Sequence, residues 1–93
     1  MHIGFEHRVP WWEVDAILAP KGSPQNKLRL QAKQEGRLLD CTSGRRTRAL
    51  IITKSHHVIL SANHPETLWP RLLQARDREL AITENRKPET ENP

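Results

Sequence analysis

A chain of 93 residues, of which 35% are hydrophobic, makes one lean domain. It buries only about 60–65% of its unfolded surface, so a second copy is expected to complete the core. No apolar run approaches the roughly 18–20 residues that cross a bilayer, and no basic-then-apolar leader opens the chain. One cysteine, Cys41, is too few for a disulfide framework or a thiolate metal cage. The expectation is a cytoplasmic protein without membrane or metal. Net charge is +4, unevenly spread. Residues 77–93 hold three basic and five acidic groups, which leaves twelve basic and six acidic in residues 1–76. A basic body with a mildly acidic end suits a polyanion.

In chain order, Ile3-Gly4-Phe5 and the segment from Val14 to Ala19 are short apolar stretches, separated by Pro10, Trp11 and Trp12, that read as two strands or as a strand and a loose connection. Pro20, Gly22 and Ser23 mark a break. Ser23 followed by Pro24 reads as an N-cap with proline at the first helical position. The helix is predicted from Pro24 to Glu35, with Leu28 and Ala32 on its buried face and Gly36 as its C-terminal stop. Residues 37–41 read as a strand, Thr42-Ser43-Gly44 as a turn, and the β-branched run Ala49 to Thr53 as a buried strand. Residues 54–57 then return the chain into a third strand, Val58-Ile59-Leu60, which predicts an antiparallel meander. Trp69, Leu72, Leu73, Arg76 and Leu80 recur at helical spacing, although Pro65 and Pro70 do not both suit one regular helix. Residues 83–93 have no apolar side chain and two prolines, and are expected to form a disordered tail to a domain spanning residues 1–82. The fold class is α+β: a small antiparallel sheet, one helix after the first strands and one at the C-terminal end.

The densest chemistry lies in Ser43-Gly44-Arg45-Arg46-Thr47-Arg48-Ala49. Three guanidiniums within four residues repel one another, and an anion is the natural compensation. Arginine's planar fork matches phosphate oxygens and reaches guanine edges. Gly44 permits close approach of the backbone to a phosphate, and Thr47 adds a hydroxyl. The alternative is a structural loop whose arginines pair with Asp40, Glu66 or a neighbouring subunit.

Other residues offer less. Trp11 and Trp12 either stack on bases or pack into a core or subunit contact. His56 and His57, adjacent on an extended strand, would point apart and chelate poorly. Cys41 stands near arginines that would lower its pKa, but no positioned base accompanies it. No glycine spacing of a dinucleotide or P-loop site is present, so neither catalysis nor a cofactor is expected.

The chain also resembles the RemA family, small bacterial DNA-binding regulators of extracellular-matrix and biofilm genes. The likeness rests on IGF (Ile3 to Phe5), Ala16-Ile17, Pro20, Pro24, Gly36, LLDCTSGRRTRA (Leu38 to Ala49), HVILSA (His57 to Ala62) and PET (Pro65 to Thr67). It implies a compact α+β subunit closing into a homo-oligomeric ring, with double-stranded DNA on the basic surface. By position, Arg45, Arg46 and Arg48 are the implied anion contacts, with Lys27 and Lys33 on the first helix secondary to them. The chain departs from the pattern at Glu13, where the family has an arginine implicated in DNA binding. It departs also at Trp11, Trp12, Ser43 and Pro70. The competing expectation is an oligomeric module that binds RNA, a nucleotide or a protein through the same arginines.

Overall fold

The computed structural model describes residues 1–4 and 7–91, with side chains as far as Ala81. Two short strands, β1 (His2–Gly4) and β2 (His7–Arg8), form an antiparallel ribbon. A 3-10 turn (Trp11–Glu13) leads into β3 (Val14–Leu18), then α1 (Ser23–Gln34), β4 (Leu38–Asp40), β5 (Ala49–Thr53), β6 (Val58–Ser61) and α2 (Pro65–Glu91). The α+β class is as the sequence predicts.

The meander is not. Strand order is β3-β5-β6-β4, with β5 antiparallel to both β3 and β6, and β4 parallel to β6. The expectation assumed that consecutive strands are neighbours. Instead the connection from Asp40 to Ala49 is long enough to pass over the place that β6 later fills, so the sheet is mixed.

Alternation along β5 divides the core. Ala49 and Ile51 face one side, with Ile3, Val9, Ile17, Ile59 and Leu68. Leu50 faces the other, with Ala32, Val58 and Leu60. The first side is covered by the β1–β2 ribbon and α2, and the second by α1. A bulge between Val14 and Ala16 turns Val14 to the side of Ile17, where it packs on the first cluster. Ser61 Oγ donates to Ile3 O at 2.6 Å and so ties the ribbon to the sheet.

The helices differ from expectation in instructive ways. α1 starts at Ser23, and Gly22, at φ 121°, is its cap. Ser23 makes no side-chain cap bond. Only Ala32 of α1 is buried, and Leu28 remains 37% exposed; the small alanine lets the helix touch the sheet at one place while its flanks lift away. The C-terminal stop is as predicted. Gly36 adopts φ 71°, and Arg37 N–H reaches Ala32 O at 2.7 Å, a Schellman closure.

α2 runs unbroken through Pro65 and Pro70. Pro65 occupies the first position, where no N–H is needed, and Pro70 omits one bond near the start. The helix buries Leu68 and half-buries Leu72, whereas Trp69, Leu73 and Leu80 stand 44%, 44% and 47% exposed. The positions predicted at helical spacing include Leu72, which the sheet takes, but not Leu68, which it buries most deeply. The backbone of the expected tail lies in α2 as far as Glu91, and its side chains fall outside the described residues.

Candidate nucleic-acid interface

The segment between β4 and β5 is held at both ends. Cys41 N–H donates to Leu60 O at 2.9 Å and Arg48 N–H to Ser61 O at 2.8 Å. Between them the chain reverses at residues 42–45. Ser43 (φ 53°) and Gly44 (φ 80°) are both left-handed, and Arg45 N–H donates to Thr42 O at 3.1 Å. These are the marks of a type I′ turn. A serine in that conformation is strained, and Asp40 offsets the strain. Its Oδ1 accepts from Thr42 N–H at 2.9 Å and from Thr42 Oγ1 at 2.6 Å.

Asp40 therefore serves the turn and not the arginines. Those two bonds hold its carboxyl below the usual aspartate range. A depressed folded-state pKa means that this contribution to order is complete above the unfolded value, near pH 4, and is lost as pH falls through the lower folded value. Carbon-13 NMR of the Asp40 carboxyl should show a midpoint below that of a free aspartate. An ordinary midpoint would mean that the turn is not held this way.

Cys41 follows a related logic with the opposite sign. Burial first, and the neighbouring Asp40 charge second, push its thiol up. The arginines do not activate it, and at neutral pH it is a protonated, poorly nucleophilic group.

The structure presents Arg45 and Arg46 on the exposed turn and Arg48 half-buried at its base. Arg46 and Thr47 line a groove with Pro20, Lys21 and Arg29, and Arg46 and Arg48 line a neighbouring one with His64 and Glu66. Arg29 also borders a third groove, with Lys33, Leu30 and Leu38. The basic groups thus form one track, from Arg48 and Arg46 through Lys21 and Arg29 to Lys33. Lys27 lies about 200° around α1 from Arg29 and is on a different side.

Lys21 and Arg29 were not among the anion contacts expected from the sequence. Their approach follows from pairing: Leu18 of β3 sits opposite Leu50 of β5, so residues that follow β3 meet residues that precede β5. Glu66 brings a carboxylate to the track's edge. It sits in the first turn of α2, where the helix dipole favours it, with Oε2 3.9 Å from His64 Nδ1.

Glu13 lies elsewhere. Its neighbour Val14 pairs with Thr53, at the far end of β3 and β5 from the arginine turn. Five residues of strand, at about 3.3 Å each, separate the two places within one subunit. Among the described residues no group of three or more His, Cys, Asp or Glu side chains is placed to hold a metal, and no described helix is long and apolar enough to cross a membrane.

Comparison with known proteins bears on this surface. The RemA-like family, described as extracellular matrix regulatory protein A-like, matches residues 1–72. The chain belongs to the RemA-like family. A relative from Nitratidesulfovibrio vulgaris is 50% identical over 74 residues, covering 80% of this chain and 84% of its own. One from Kosmotoga olearia is 43% identical over 90 residues, covering 96% and 91%. One from a Cyanothece species is 48% identical over 77 residues, covering 83% and 85%. All three bear names that class them as regulatory proteins. The RemA-like match takes in the ribbon, the whole sheet, α1 and the start of α2, including every arginine of the turn.

Proposed function

We propose that this RemA-like chain is a non-catalytic, cytoplasmic DNA-binding regulator, acting in transcription or DNA architecture as a homo-oligomer. The observation that carries the reading is the basic track. Arg46 shares a groove with Lys21 and Arg29, and the nearest loop carboxylate, Asp40, is occupied by Thr42. Arg45, Arg46 and Arg48 contact phosphates, with Lys33, Lys21 and Arg29 extending the line and Lys27 in a minor role. Each contact is weak alone, and a ring repeats it along one duplex. Self-association is supported by the apolar side chains left exposed, above all Trp69, Leu73 and Leu80 on α2 and Leu39 on β4. We place the domain's end near residue 82, within α2.

Light scattering should give an oligomer. Titration of the duplex across salt should then give log K falling by about 0.9 per phosphate neutralised. A monomer that ignores duplexes in dilute buffer would end the proposal, and preference for RNA would favour the competing module.

Glu13 supplies a test of geometry. If DNA on the ring passes the far end of β3 of an adjoining subunit, Glu13→Arg adds a contact and steepens the salt slope by about 0.9 for each one made. An unchanged slope and affinity would put that end of the sheet away from DNA.

A further inference from the structure

A second cationic groove lies between the β1–β2 ribbon and α2. Arg8, Arg71 and Arg78 line it with His2, and among the described residues that border it there is no carboxylate. Arg71 is already aimed by its Nη1, which donates to His2 O at 3.3 Å. Like charges brought together in this way gain from an anion between them. The groove continues, through the shared walls Ala75 and Arg78, into a second one bordered by Trp11, Trp12 and Glu79.

The two indoles meet edge to face, with centroids 6.0 Å apart and planes at 86°. Trp12 is 49% exposed, which leaves ring surface open to a flat partner. Trp11 Nε1 is buried and, among the described residues, has no hydrogen-bond partner. A buried donor without an acceptor is costly, but this one is out of reach of the groove. One ligand meets the other two features: an anion for the guanidiniums and a flat π surface for Trp12.

We propose that this groove binds a nucleotide, its phosphate on Arg8, Arg71 and Arg78 and its base against Trp12. The site is separate from the arginine turn and does not depend on the duplex reading. Arg78 lies beyond the matched residues 1–72, and Trp11 and Trp12 depart from the family pattern. The nucleotide comes either free or as one unit of a single strand, and both present the same phosphate and base.

Fluorescence of the full-length chain tests it. In a Trp69→Phe background, emission reports Trp11 and Trp12 alone. Adenosine monophosphate should quench it saturably, with adenosine and inorganic phosphate each at least tenfold weaker. A short single-stranded oligonucleotide that binds at least tenfold more tightly than the mononucleotide would identify the strand as the source, and equal affinity would identify the free nucleotide. Joint replacement R8Q/R78Q should weaken binding at least tenfold, with melting temperature and subunit number unchanged. Replacement R45A/R46A should leave the quenching intact. No saturable quenching by mononucleotide or strand at millimolar concentration would overturn the proposal. So would phosphate that matches the mononucleotide, or binding indifferent to R8Q/R78Q; neither comparison needs the arginine turn.

Discussion

Replacing Arg45 and Arg46 together with alanine should remove most duplex affinity and leave the assembly intact. Both side chains are exposed on the turn, so their loss opens no cavity, and the backbone bonds that shape the turn run through Thr42, Asp40 and Ser61. If each subunit that touches DNA places these two groups on phosphates, the salt slope flattens by about 1.8 per engaged subunit. Avidity multiplies the loss. Even one engaged subunit's share should lower affinity about tenfold or more at low salt. Fluorescence anisotropy at three salt concentrations measures the slope, and light scattering reports subunit number. An unchanged slope with an intact oligomer would mean that the turn does not meet the duplex.

The largest expected loss of stability comes from Ile51→Ala. Ile51 is fully buried, in the middle of β5, paired to Ile17 on one side and Ile59 on the other. Truncating a core isoleucine costs about 2–5 kcal/mol. A domain of this length has only about 5–14 kcal/mol in all. Urea denaturation should show a much lower midpoint with an unchanged slope. A shift worth less than about 1 kcal/mol would imply that β5 is not the spine of the core.

Period and turn chemistry made much of this fold legible. The helix that ends at Gly36 and the buried runs of β5 and β6 were visible because a left-handed glycine and β-branched clusters act locally. The position of β4 was not, because a parallel edge strand depends on which neighbour the finished sheet leaves vacant. The buried side of α2 was half legible: Leu72 stood among the periodic positions, but Leu68 did not, and only the ribbon and sheet choose between Leu68-Leu72 and Trp69-Leu73-Leu80. The arginine turn stood out because its charges are adjacent in sequence. Lys21 and Arg29 join it only through the pairing of β3 with β5, and Arg8, Arg71 and Arg78 meet only where α2 crosses the ribbon. No spacing rule marks groups assembled from such distant places.

The parallel seat of β4 sets an order of events for the nascent chain. β4 is synthesised before β5 and β6, yet its hydrogen-bonding partner is β6, the last strand of the sheet to emerge. β4 therefore cannot take its place until β6 has been made, and the arginine turn, held at Leu60 and Ser61, is pinned at both ends only then. The shape of the arginine turn is thus a late product of synthesis, which no chain ending before Ser61 can hold.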